Sequence, residues 1–105
     1  MTKVAELRKL INGSDIVVMP GAYDALSAKI IDHSGFPAVF TSGFGISASE
    51  LGVPDFGLLT MSESLARVRR IVDAVSVPVV ADMDTGYGNP INVVRMAQEC
   101  VRLGV

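Results

Sequence analysis

The sequence is short of several residue types that carry chemistry. It has one cysteine, Cys100, so no internal disulfide can form and a reducing compartment suits it. Cys100 is read as a small core hydrophobe. It has one histidine, His33, which falls near a helix end and reads as a surface residue or a complement to the helix dipole. No histidine is placed to activate Ser47 or Ser49, so these read as local caps and not as nucleophiles. The chain has no block of like charge: 9 basic and 11 acidic residues are scattered, for a net charge of −2. Neither a nucleic acid nor an anionic membrane is therefore expected as a partner. No apolar run approaches the ~20 residues that span a bilayer. The first ten residues carry charges throughout, unlike a signal peptide, and the expected setting is cytoplasmic. Linkers, low-complexity tracts and repeats are also missing.

What is present is apolar: half of the 105 residues are hydrophobic, enough to bury the core of one small domain. Residues 2–12 read as a helix with Val4, Leu7, Leu10 and Ile11 at helical spacing, capped by Thr2 and stopped by Gly13. Residues 16–19, Ile-Val-Val-Met, read as a buried strand stopped by Pro20-Gly21. A helix over 23–34 follows, with Tyr23, Leu26 and Ile30 on its apolar face and Gly35 as its stop. Residues 38–40 form a second strand. Residues 43–59 then make a connection much longer than the usual 2 to 6 residues or so, with a short helical piece expected around 47–51. Thr60-Met-Ser-Glu63 is a capping box. It opens a helix to about Val75 whose face carries Leu65, Val68, Ile71, Val72 and Val75. Arg67, Arg69 and Arg70 fall on its outer, solvated side. The third strand is 77–82, and Asn89-Pro90 opens a last helix that Gly104 closes.

The third strand organises the chain. It is a β-branched run, typical of a strand covered on both faces in a parallel sheet, and it ends in Asp82 and Asp84. Two carboxylates spaced by two along a strand share a face. Acidic residues at the carboxyl end of a parallel strand lie where α/β folds place their chemistry. Two hard oxygen donors there suit Mg²⁺, with Mn²⁺ as an alternative; turn and cap duty is the competing reading. An EF-hand is excluded, because Gly86 stands at its third ligand position. A dinucleotide fingerprint is excluded because Ile91 stands where the third glycine belongs.

The order is one helix and then three β-α units, an α/β pattern with a parallel sheet and right-handed crossovers. Three strands leave two open edges, and a (β/α)₈ barrel takes about 250 residues. The expected fold is therefore the N-terminal part of a TIM-type (β/α)₈ barrel, with residues 1–105 as one segment of a single domain. A self-sufficient three-stranded unit is the alternative.

Three stretches, Thr41-Ser-Gly-Phe-Gly-Ile-Ser-Ala-Ser49, Leu51-Gly-Val-Pro-Asp-Phe-Gly-Leu-Leu-Thr60 and Val80-Ala-Asp-Met-Asp-Thr-Gly-Tyr-Gly-Asn89, together resemble the isocitrate lyase/phosphoenolpyruvate mutase superfamily. Pro20-Gly-Ala-Tyr-Asp-Ala25 fits the same pattern, and the resemblance covers nearly the whole chain in order.

The resemblance implies a site that holds a 2-oxo acid or its enolate. It assigns Asp82 and Asp84 to a Mg²⁺ site that also touches substrate through Asp82. It assigns Ser42, with the backbone N–H groups near Gly43 and Phe44, to the substrate carboxylate and enolate oxygen. Asp55 is assigned to a loop over the site, and Tyr23 and Asp24 to the mouth of the first strand, with Tyr23 counted among the substrate-binding residues. Asp55 and Ser42 are the expected catalytic residues. The implied activity is a Mg²⁺-dependent carbon–carbon lyase acting on a small 2-hydroxy or 2-oxo polycarboxylate, of the isocitrate/methylisocitrate lyase or oxaloacetate decarboxylase type. The apolar stretch after Asp55 favours that branch over the phosphonate enzymes that make or break P–C bonds, which are the runner-up. A homo-oligomer is implied, tetrameric in full-length relatives. The family's further acidic residues, its loop cysteine and its substrate-binding arginine have no counterpart before Val105. The segment alone is thus expected to be inactive, and an assembly-only half-barrel is the third reading.

Overall fold

Each helix begins where a side chain can take its first free N–H groups. The computed structural model describes all 105 residues. Thr2 caps α1 (Lys3–Ile11), Asp24 caps α2 (Ala25–His33), and Ser42 caps α3 (Gly43–Leu51). Thr60 and Glu63 form the capping box of α4 (Met61–Ala74), and Asn89 with Asn92 forms that of α5 (Pro90–Leu103), which has Pro90 in its first turn. Gly52 and Gly104 end α3 and α5 in the left-handed conformation.

Three short strands lie between these helices: β1 (Gly21–Ala22), β2 (Val39–Thr41) and β3 (Val79–Ala81). They form one parallel sheet in the order β1-β2-β3, with Gly21 opposite Phe40 and Phe40 opposite Val80. Alternation along the strands sends Ala22, Val39 and Val79 to the side where α2 and α4 pack. There they meet Ala28 and Ile71 as the buried core, with Ile31, Val72, Val75, Val77 and Val105 packed around it. Phe40 and Val80 point to the other side and are only half-buried.

The first strand is shorter and later than the sequence predicts. Residues 16–19 have no ladder partner, and Ile16 is 90% exposed. The cause lies opposite them. Extending the Gly21–Phe40 register backward would pair Val18 with Pro37 and Ile16 with Gly35. Gly35 is in the left-handed turn after α2, so the neighbouring chain is not yet extended where Ile16 would meet it. The face expected of α2 is also wrong. Tyr23 precedes the helix, and Leu26 and Ile30 are exposed, while Ala28 is fully buried and Ile31 packs on the core. A small residue at 28 lets α2 approach the sheet closely. The helical piece expected around 47–51 begins instead at Gly43, directly after β2, because Ser42 caps it there. α1 has no fully buried residue, and Val4 and Ile11 are exposed.

Arg67 is not on a solvated face as expected. It pairs with Glu50 of α3 and donates to the Tyr23 carbonyl, while Arg69 stays exposed beside Asp73.

At the amino ends of the strands, the Asp32 carboxylate accepts from the Ser76 N–H at 2.8 Å and from its hydroxyl at 3.1 Å. This ties the end of α2 to the turn that leads into β3. Asp32→Ala should lower unfolding free energy by about 1–2 kcal/mol, the usual size for bonds to a charged acceptor discounted for exposure. Urea denaturation of the two proteins would read it, and an unchanged midpoint would mean that the tie adds nothing.

Candidate active site

The carboxyl ends of β2 and β3 carry the polar residues of the sheet. Thr41, fully buried, accepts the Asp82 N–H on its hydroxyl at 2.9 Å, which fixes the first residue after β3. Asp82 Oδ1 then accepts the Asp84 N–H at 3.0 Å, an Asx turn. The spacing of Asp82 and Asp84 predicts a face shared through strand alternation, and they do not share one in that way. The structure brings them together differently. β3 ends at Ala81, and Asp84 sits in the turn beyond it at φ 52°.

Gly43 stands against this pair. A Cβ built on it would lie 2.8 Å from Asp82 Oδ2, so only glycine allows α3 to start here with the carboxylate in place. Ser42 takes the Gly45 N–H on its hydroxyl and the Ile46 N–H on its carbonyl. The N–H groups of Gly43 and Phe44, in the first turn of α3, have no acceptor in the protein.

Asp82, Asp84, Asp55 and Gly43 line one cleft of about 30 Å³, together with Ser47, Ser64 and Tyr87. That space suits an ion or a water or two. Ser42, Phe44 and Tyr23 lie beside the cleft and do not line it. The Ser42 hydroxyl is committed to its cap, the Phe44 side chain is 64% exposed, and Tyr23 follows β1 with its Cβ near Gly45. Asp24 caps α2, and the bond from the Ser27 N–H holds its carboxyl below the usual range.

Two polar lining residues, Tyr87 and Ser64, carry no role in the sequence motifs, and a third, Ser47, has a different place from the one expected. Tyr87 donates from its phenol to Ser64 Oγ at 2.8 Å. Burial pushes that phenol up; the bond to Ser64 opposes this, and the charges of Asp84, Asp82 and Asp55 reinforce it. Ser64 left a sequence signal: it stands on the apolar stripe of α4, four residues before Val68 and seven before Ile71. Ser47, read as a cap, is instead buried inside α3. Cys100 is half-buried on α5, with Met96 Sδ 3.6 Å from its sulfur, and burial raises its thiol.

The donor set fits a hard divalent ion in part. Mg²⁺ is commonly held by one or two carboxylates, with water and substrate completing its shell. Asp82 and Asp84 supply that number. No group of three or more His, Cys, Asp or Glu side chains converges as a full ligand cage. No helix is long and apolar enough to cross a membrane.

The model of the family described as phosphoenolpyruvate phosphomutase matches residues 7–105. The 2,3-dimethylmalate lyase of Eubacterium barkeri is 51% identical over 105 residues, which make up 100% of this chain and 36% of that protein. A crystal structure of 2,3-dimethylmalate lyase, described as a member of the PEP mutase/isocitrate lyase superfamily, is 40% identical with a TM-score of 0.91 and is matched over 100% of this chain and 37% of its own. A phosphonopyruvate hydrolase solved in complex with oxalate and Mg²⁺ is 37% identical with a TM-score of 0.93, over 100% of this chain and 37% of its own. The chain thus spans about a third of the length of these relatives. Its parallel sheet and the helices around it correspond to part of the TIM-type barrel of those neighbours. On the family match and these identities together, the chain belongs to the phosphoenolpyruvate phosphomutase family, within the isocitrate lyase/PEP mutase superfamily.

Proposed function

We propose that these residues form part of the active site of a Mg²⁺-dependent carbon–carbon lyase acting on a small 2-hydroxy or 2-oxo polycarboxylate. The observation that carries the reading is the packing of Gly43 against Asp82, with Asp84 and Asp55 on the same cleft. Asp82 and Asp84 would hold the ion, and Mn²⁺ would serve in its place. When bound, the ion supplies Lewis-acid polarisation of substrate oxygens. The rest of the chemistry falls to the chain itself. Breaking a bond next to a 2-oxo acid leaves negative charge on the enolate oxygen. The unpartnered Gly43 and Phe44 N–H groups, at the positive end of α3, suit a carboxylate or that oxygen. Ser42 sets their direction by capping the helix. Asp55 reaches the cleft from the connection after α3, where it can hold or move a proton.

Identity to a dimethylmalate lyase supports C–C cleavage, and likeness to a phosphonopyruvate hydrolase supports the P–C alternative. A homo-oligomer is part of the same reading. The test is turnover by the natural gene product with Mg²⁺, using substituted malates, 2-methylisocitrate, oxaloacetate and phosphonopyruvate. Metal-dependent cleavage of a C–C substrate is the expected result. Turnover of phosphonopyruvate alone would overturn it.

A further inference from the structure

The turn that carries Asp84 holds a conformation that its own bonds do not explain. Asp84 at φ 52° and Tyr87 at φ 63° are the only non-glycine residues in the chain with positive φ, and they lie three apart. Side chains persist there only when their surroundings hold them. Within the turn there are two bonds, from the Asp84 N–H to Asp82 Oδ1 and from the Gly86 N–H to the Met83 carbonyl. On one side the turn is pressed onto α5. A Cβ on Gly86 would lie 2.4 Å from Val93 Cγ2, and one on Gly88 would lie 2.5 Å from Asn92 Oδ1. On the other side a single hydrogen bond joins it to α4, from the Tyr87 phenol to Ser64 Oγ. Ser64 is 2% exposed and stands on a helix face fixed by Val68 and Ile71.

We propose that the Tyr87–Ser64 hydrogen bond is a latch that holds the acidic turn against α4 and so sets where Asp84 lies relative to Asp82. Tyr87 and Ser64 are positioning residues, and neither needs to touch a ligand. The proposal rests on the reading of Asp82 and Asp84 as ligands of a divalent ion. Without the latch, Tyr87 is free to leave the left-handed region, and the turn spends part of its time with Asp84 displaced. Ion affinity then falls by the fraction of molecules that keep the competent turn.

The test uses the natural gene product and four variants: Tyr87→Phe, Ser64→Ala, the double variant, and Asp84→Ala. Mn²⁺ is titrated and its free concentration read by electron paramagnetic resonance. Hydrogen exchange of residues 84–88 is measured on the metal-free proteins. Tyr87→Phe keeps the ring and its packing, so only the bond is lost. Each single latch variant should weaken Mn²⁺ binding by about tenfold, the lower end of what supporting residues around a metal contribute. The double variant should be no weaker than either single one, because both break the same bond. Residues 84–88 should exchange faster in all three while unfolding stays cooperative. Unchanged affinity and exchange in the single variants, or losses that add in the double, would overturn the latch. Asp84→Ala separates the two readings. If it weakens Mn²⁺ binding and the latch variants do not, the latch alone fails. If it binds Mn²⁺ as the parent does, the metal reading fails, and faster exchange in the latch variants would still support the latch.

Discussion

Replacing Asp82 or Asp84 with alanine is expected to lower Mg²⁺-dependent turnover by at least about a thousandfold in the natural gene product, because each removes a charged oxygen donor from the ion that stabilises developing charge. The fold should survive both changes. The Asp82 N–H is held by the Thr41 hydroxyl, a bond that alanine keeps. Asp82→Ala also loses the Asx bond to the Asp84 N–H, at about 1 kcal/mol of stability. The two variants should therefore differ slightly in thermal midpoint and little in activity. Steady-state assays across a Mg²⁺ range, beside thermal melts, would check this. Turnover equal to the parent in both would sink the metal assignment.

Gly43→Ala should damage the site while leaving the protein folded. The added methyl carbon would come within 2.8 Å of Asp82 Oδ2 and 3.4 Å of its Cγ. The atom in the way ends a flexible side chain, so the clash is relieved by turning the carboxylate and not by moving a strand. That keeps the stability cost small and puts the damage on the geometry. A displacement of about 1 Å in a reacting constellation can cost on the order of a hundredfold in rate, and kcat/KM should fall by about that much. Metal affinity should drop with it, since the displaced group is the proposed ligand. A Gly43→Ala protein with normal kcat/KM would show that the close approach has no catalytic consequence.

The caps show how much of the fold was written locally. Thr2, Thr60 with Glu63, and Asn89 with Pro90 stand where their helices start, since each cap needs only a side chain and the N–H groups of the next turn. The parallel sheet followed from the alternation of β-branched runs with helical spacing. What failed depended on partners distant in sequence. Residues 16–19 have the composition of a buried strand, but the chain across the sheet is still turning at Gly35 where they would pair. Leu26 and Ile30 are apolar, but α2 turns Ala28 to the core, a choice set by how closely helix and sheet approach. In the site, Asp82, Asp84, Asp55 and Gly43 were marked by motif and reach one cleft. Ser64 lies on the apolar stripe of α4 that helical spacing already marks, and that position is the one clue it leaves; Ser47 comes from α3, whose start and rotation follow from the Ser42 cap and not from an apolar pattern.

The sheet order β1-β2-β3 repeats the order of the strands along the chain, with no later strand inserted between earlier ones. A polypeptide leaving the ribosome would therefore find each strand's neighbour already made, with its free edge waiting. Assembly can proceed by accretion from the amino end, and no pairing has to be undone to admit a later one. The chemistry would arrive by the same sequence. Gly43 and the cap of α3 are in place once the second strand has emerged, and the carboxylates are delivered to them by the third.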